Sequence, residues 1–411
     1  MTNVLVVTQR FYPPWSDGTV SYAKGLVDSI VEVSKLRRDL EVTVLSLTEK
    51  TWFPKLHFKE MREYLEKRNI SLEWFYTYEK GQKANLWKLV RRLFLKKDYE
   101  LIHMIYLGLN PLLIRMGMGI RRKNNIVKHL FVYPFHRNFL IEKSAYQFFQ
   151  RSGTLQQLNI HLAFSSDVLR KLYNAEESAV LPPAIDTDLY NPRCKLNDRC
   201  LSLMESAVRF GNVSDVLQKD VVALYMGPIS RERFDPRSVI RGFAKICKEY
   251  GVDAGLLIIG RGFESIPFLE EVKNHIYRNN LSDRVFLCLK DLSEAEKICL
   301  FNNAGIFIYP FPRRLNYMSV VFPPIALLES MSAGTCVVSG GLPYLSSIIK
   351  NEENGVLIEG RIDEKKLAEG IWTGISDGKK ISQNARLTIE KHFSIKRVSE
   401  LYADFLVKVG V

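Results

Sequence analysis

Short runs of apolar, mostly β-branched residues recur along the chain and alternate with longer stretches whose apolar positions fall at helical spacing. In the first half the runs are VLVVT at 4–8, LEVTVLS at 40–46, ELIHMIY at 100–106, IVKHLFV at 126–132, IHLAFSS at 160–166 and AVLPP at 179–183. In the second half they are VVALYMG at 221–227, GLLIIG at 255–260, RVFLCL at 284–289, GIFIYP at 305–310, TCVVSG at 335–340 and GVLIE at 355–359. Helix-length segments lie between them, among them 236–250, 264–279, 293–303 and 323–333. Buried strands separated by helices, without two-residue hairpin turns, predict parallel sheets built from right-handed crossovers. Each half therefore reads as one doubly wound α/β sheet.

A chain of 411 residues suits two such domains. The boundary is marked by LPPAIDTDLYNP, rich in proline, and by a polar stretch from Arg193 to about Asp220 that shows no strand pattern. The predicted division is 1–192, 193–390 and a C-terminal amphipathic helix at 391–411 that packs back on the first domain. No apolar run reaches the eighteen or more residues of a bilayer span. The start, MTNVLVVTQRF, has no basic segment before its apolar run and reads as a first strand rather than a signal peptide. A cytoplasmic protein is expected.

Cys194, Cys200, Cys247, Cys288, Cys299 and Cys336 form no Cys-x-x-Cys pair and lack histidines at zinc spacing, so reduced thiols are expected. The net charge of +13 favours an anionic partner and says nothing about fold.

Loops at the carboxyl ends of strands are where doubly wound sheets bind ligands. PISRERFD follows VVALYMG and carries Arg231 and Arg233, which either meet a diphosphate or simply face water. LLIIGRGFES places Gly260 and Gly262 before a helix, where backbone N–H groups can approach a phosphate; Ser265 stands where a dinucleotide fingerprint has its third glycine. In FPPIALLESMSAGTCVVSGGLP, Glu329 lies inside an otherwise apolar helix. A carboxylate there needs a partner or a ligand, and a ribose offers two hydroxyl donors; a solvated position is the other reading.

These segments, in order, resemble family four of the retaining glycosyltransferases. The second half carries YMGPISRERFDPRSVIRGFAKI, LLIIGRGFESIPFLEE, RVFLCLKDLSEAEKICLFNNAGIFIYPF and LLESMSAGTCVVSGGLPYLSSIIKNEENGVLIE. The first half carries RFYPPWSDGTVSYAKGLVDSI, ELIHMIY and AVLPPAIDTDLYNP. The resemblance implies the GT-B fold, two Rossmann-like domains facing a central cleft. It implies transfer of a sugar from a nucleoside-diphosphate sugar to a glycan or lipid-linked acceptor, with retention of configuration and with no cofactor or metal. By position, Glu329 matches the ribose-binding glutamate, Arg233 the diphosphate-binding lysine and Gly18 the phosphate-facing loop of the first domain. Backbone N–H groups around Leu327 and Leu328 would meet the diphosphate. The histidine near the transferred sugar would be His129 or His136, with Tyr133 and His103 as competitors; His129, inside an apolar strand, reads equally as a core histidine. Asp186 and Asp188 fit the segment that closes the first domain and read as capping residues rather than metal ligands.

The departures from the family pattern are Pro228 for an arginine, Arg233-Phe234 for Lys-Gly, Val321 for the glutamate that touches the donor sugar, and Asp17-Gly18 for Gly-Gly. Arg231, Arg313 or Arg314 would then replace the missing cation. They also leave room for a degenerate GT-B protein that binds nucleotide without catalysis or serves as a partner subunit, and for a nucleotide-sugar isomerase. NLWKLVRRLFLKK predicts a basic amphipathic helix over Trp87–Lys97, either packed on the sheet or lying on the anionic inner face of a membrane. No recognition helix or aromatic single-strand platform points to nucleic acid.

Overall fold

The structure, a computed structural model, describes residues 2–15, 18–49, 58–79, 82–83, 98–105, 115, 124–130, 139–192, 208–227, 229, 235–260, 264–309, 324–341, 344–360 and 362–411. The chain divides into two units, Met1–Ala184 with Phe393–Val411, and Ile185–His392. The sequence placed these divisions at 192/193 and 390/391. Hydrogen bonds decide the difference at the first of them, because the carbonyls of Thr187 and Tyr190 accept from Arg386, inside the second unit.

The first unit holds an eight-stranded sheet in the order β4-β3-β2-β1-β5-β6-β7-β8. Its strands are β1 (Thr2–Gln9), β2 (Leu40–Glu49), β3 (Ser71–Glu79), β4 (Gln82–Lys83), β5 (Leu101–Met104), β6 (Asn125–Leu130), β7 (Ile160–Phe164) and β8 (Ala179–Val180). The apolar run of β1 is central: Val4 stands opposite Val42 on one side and Leu101 on the other. All pairings are parallel except β3 with β4, an antiparallel pair that the sequence reading did not anticipate. The helix Gly18–Leu36 follows β1, and the last helix, Ile395–Lys408, packs along it. That last helix starts on Ser394, whose hydroxyl accepts from the Arg397 N–H, and it buries Val398, Tyr402, Phe405 and Leu406.

The second unit holds a seven-stranded sheet in the order β15-β14-β13-β10-β11-β12-β9. Here β9 is Val208–Phe210, β10 Val221–Met226, β11 Ala254–Gly260, β12 Val285–Leu289, β13 Ile306–Tyr309, β14 Cys336–Gly340 and β15 Val356–Ile358. Only β9 is antiparallel, on the β12 edge. It lies in the stretch expected to contain no strand, as does the short helix Val213–Leu217; three residues are too few to show a period. The strand order reverses between β10 and β13, and that switch point is where the carboxyl-end loops of both strands diverge.

Local chemistry explains the helices. Asp235 caps Pro236–Glu249 with proline at its start, Ser265 caps Ile266–Arg278, and Ser293 with Glu296 forms a reciprocal capping box on Glu294–Asn303. Their apolar faces, including Val239, Phe243, Phe268 and Val272, close over Leu256 and Ile258 of β11.

Cys247, Cys288 and Cys336 are free thiols. Cys299 is disulfide-bonded, so the expectation of six reduced thiols is corrected at that residue; proximity in space, which spacing along the chain does not reveal, decides pairing. The Trp87–Lys97 segment lies outside the described residues, as do Tyr133, His136, Pro228, Arg231, Arg233, Gly262, Arg313, Arg314 and Val321. No described helix is long and apolar enough to cross a membrane.

Candidate functional site

Glu329 sits on the helix Ile325–Ser332, which follows β13 at the switch point of the second unit. Its neighbours Leu327, Leu328 and Met331 are fully buried, and Glu329 itself is 4% exposed. A bare carboxylate in such surroundings would cost several kcal/mol. Two donors prevent this. Lys297 Nζ, from the helix Glu294–Asn303, donates to Glu329 Oε1 at 2.8 Å, and the Tyr190 hydroxyl donates to the same oxygen at 2.9 Å. Among the described residues no hydrogen bond reaches Oε2. The solvated reading of Glu329 is thereby excluded.

Each partner is fixed in turn. Lys297 is as buried as Glu329, and its ammonium stands 5.5 Å over the Tyr190 ring. The capping box holds the start of its helix: Glu296 Oε2 accepts from the Ser293 N–H and hydroxyl, each at 2.8 Å, while Glu296 Oε1 pairs with Lys290. Tyr190 is tied to the helix that carries Glu329. Its carbonyl accepts from Ser332 Oγ at 2.8 Å and from Arg386 Nη1 at 3.0 Å. Arg386 also donates to the carbonyls of Ser332 and Thr187. Burial, with the charge of Glu329 adding to it, holds the Tyr190 phenol well above its ordinary range, so it stays a donor.

The N–H groups expected to face a phosphate are displaced. Those of Leu327 and Leu328 both donate to the Pro324 carbonyl, at 3.0 and 3.2 Å. The orphan donors of this helix end, among the described residues, belong to Ile325 and Ala326, since the cap is a proline and caps nothing through its side chain. The glycine at 260 also has a different cause. A Cβ there would come within 2.5 Å of Ile229 Cδ1, so Gly260 makes room for the Ile229 side chain. The Glu264 N–H donates to the Ile229 carbonyl at 3.0 Å and holds that residue. Arg231 and Arg233 continue from it, outside the described residues.

In the first unit, Gly18 is exposed at the start of its helix, and a Cβ there would meet nothing within 4 Å. The loop before it belongs to the segment RFYPPWSDGTVSYAKGLVDSI, but the side chains that anchor it were not singled out from the sequence. It is built on Trp15, which has φ 58° and is packed edge-on to Phe11 at 5.0 Å and against Tyr64 at 5.0 Å. Its carbonyl accepts from Ser21 Oγ at 2.6 Å. Beneath it, buried Asp28 accepts from the Tyr64 hydroxyl at 2.8 Å and pairs with Lys24 and Arg68. Only the i,i+4 spacing of Lys24 and Asp28 signals this in the sequence.

His129 is fully buried with both ring nitrogens engaged. The Tyr22 hydroxyl gives its proton to the Leu181 carbonyl at 2.8 Å, so it accepts from His129 Nε2–H at 2.7 Å. Nδ1 of His129 then accepts from His103 Nε2–H at 2.9 Å, and His103 Nδ1 accepts from the Tyr402 hydroxyl at 3.1 Å. Burial pushes His129 down to about 3 and His103 well below the imidazole range, the latter with a contribution from His129. The catalytic role expected of His129 is corrected on this geometry: no ring nitrogen is left for a substrate. Asp186 caps a turn, its Oδ1 accepting from the Leu189 N–H at 2.9 Å.

The solved structures of known proteins that resemble this chain share its fold. A glycosyltransferase from Rickettsia africae is 16% identical with a TM-score of 0.70, over 99% of this chain and 98% of that one. Anabaena Alr3699/HepE, solved in complex with UDP and glucose, is 17% identical with a TM-score of 0.67, over 99% and 100%. Sucrose-phosphate synthase from Thermosynechococcus elongatus is 13% identical with a TM-score of 0.65, over 100% and 99%. No curated protein matches the chain in sequence. Residues 212–388 match the model of the family glycosyl transferases group 1, and the two parallel-sheet units have the GT-B fold of these glycosyltransferase structures.

Proposed function

We propose that this chain is a metal-independent, retaining glycosyltransferase that moves a sugar from a nucleoside-diphosphate sugar to a glycan or lipid-linked acceptor. The observation that carries this reading is Glu329, a buried carboxylate at a switch point with one oxygen bonded and the other given no partner among the described residues. A ribose hydroxyl is the donor that Oε2 calls for. The orphan N–H groups of Ile325 and Ala326 suit the negative charge of a diphosphate. Arg233, with Arg231, is the cation assigned to the leaving diphosphate. Stabilising that leaving group as the anomeric carbon gains positive character needs fixed cations and N–H dipoles and no protein nucleophile.

The test is thermal-shift screening against nucleoside diphosphates and nucleotide sugars. Uridine compounds come first, because the Anabaena neighbour was solved with UDP and with UDP-glucose. A ligand that binds only the folded state raises the midpoint by mass action. A donor that stabilises the protein should then be hydrolysed slowly or transferred. Stabilisation without any turnover would favour the non-catalytic reading suggested by Val321. The proposal places the protein in the cytoplasm, with the Trp87–Lys97 segment on anionic lipid. Co-sedimentation with acidic vesicles at low salt is the expected result, and its absence there would remove the membrane from the account.

A further inference from the structure

We infer that Lys297 and Tyr190 are positioning residues for nucleoside recognition: they occupy Oε1 of Glu329, so that Oε2 alone accepts from the nucleoside's sugar. This inference rests on the nucleotide-sugar reading above. A carboxylate oxygen has two in-plane lone pairs. On Oε1 one takes Lys297 Nζ–H at 2.8 Å and the other takes the Tyr190 O–H at 2.9 Å, which fills it. The carboxylate plane is then fixed from three segments of chain. Lys297 comes from the helix before β13, Glu329 from the helix after it, and Tyr190 from the segment anchored by Ser332 and Arg386. Recognition through one oxygen replaces the bidentate grip that the sequence alone suggests.

The pair also does electrostatic work. A nucleoside diphosphate brings two or more negative charges, and an unpaired buried carboxylate beside it would repel them. Lys297 is committed to Glu329, and the neighbouring cation Lys290 is committed to Glu296. The ligand thus meets a neutralised acceptor whose geometry does not depend on the ligand's arrival.

The test measures affinities of UDP, GDP and ADP, and of their 2′-deoxy and 3′-deoxy analogues, for the full chain and its variants. Wild-type protein should prefer the ribonucleotide over at least one deoxy analogue by about 10-fold or more, the usual worth of a hydrogen bond to a charged group. Tyr190→Phe should reduce that preference about threefold, and Lys297→Met should reduce it to about twofold or less. A merely structural pair would lower stability or overall affinity and leave the ribo-to-deoxy ratio unchanged, and that result overturns the inference. If Lys297→Met does not fold, Tyr190→Phe, which removes one oxygen atom, decides the matter alone. Wild-type protein that binds none of the three diphosphates, or prefers a deoxy form, overturns the nucleotide-sugar reading itself and the inference with it.

Discussion

The imidazoles of His103 and His129 meet ring nitrogen to ring nitrogen at 2.9 Å, deep in the first unit. Both are buried neutral in a chain of hydrogen bonds that runs from Tyr402 to the Leu181 carbonyl. In the unfolded chain each ring takes up a proton near its ordinary value of 6.5, whereas folded His129 resists protonation down to about 3. Below pH 6.5 the unfolded state therefore binds more protons than the native one. For His129 the stability contributed is complete above that pH and is lost as pH falls toward 3, with a slope of about 1.4 kcal/mol per pH unit, and His103 acts in the same direction. Urea denaturation at about pH 7 and about pH 5 checks this; His129→Gln should show a shallower dependence. Equal slopes in the two proteins would reject the account.

Gly18 and Gly25 occupy one helix but should respond oppositely to alanine. Around Gly18 a Cβ meets nothing, so Gly18→Ala should leave stability unchanged or raise it by up to about 1 kcal/mol. The proposed role of Gly18 in facing the donor diphosphate predicts that turnover nonetheless falls about 10-fold or more. At Gly25 a Cβ would lie 2.2 Å from the Ala184 carbonyl oxygen, and backbone cannot yield as a side chain can. Gly25→Ala should cost about 2–3 kcal/mol. Chemical denaturation alongside a donor-turnover assay separates the two cases.

Arg386→Ala removes the donor that fastens Thr187, Tyr190 and Ser332. The expected loss is about 2–3 kcal/mol, since hydrogen bonds from a charged group are the stronger kind. Tyr190 keeps its bond from Ser332 Oγ, so the proposed nucleotide site should be loosened rather than abolished. Denaturant midpoints with and without nucleoside diphosphate measure both effects.

Arg233→Ala should lower turnover by about 10²–10³-fold, the usual cost of losing one donor that stabilises developing charge. Steady-state kinetics should place the loss in kcat more than in KM. A change below about threefold would move the role to Arg231, Arg313 or Arg314.

The apolar runs at β1, β10 and β11 and the helix-length segments between such runs made much of both sheets readable from the sequence. Glu329 was readable as a carboxylate in the wrong company. Its partners were not, because Lys297 lies 32 residues away and Tyr190 lies 139, and pairing at such distances is a product of the fold. Gly260 was visible as a glycine at a strand end, but its reason, the Ile229 side chain, comes from another loop. The β9 strand was hidden by its length and by the polar residues around it. The prolines of 182–192 marked a boundary region without fixing the cut, which depends on which carbonyls Arg386 reaches.

The first unit is interrupted in sequence by the whole of the second. Ribosomal synthesis runs from the N-terminus, and domains usually complete themselves in that order. Here the order is inverted. Residues 185–392 have emerged in full before the helix Ile395–Lys408 exists, and until then His103 lacks Tyr402 and the helix Gly18–Leu36 lacks its neighbour. The first unit is therefore completed only by residues synthesised after the whole of the second, and the partner of its first helix arrives last among its elements.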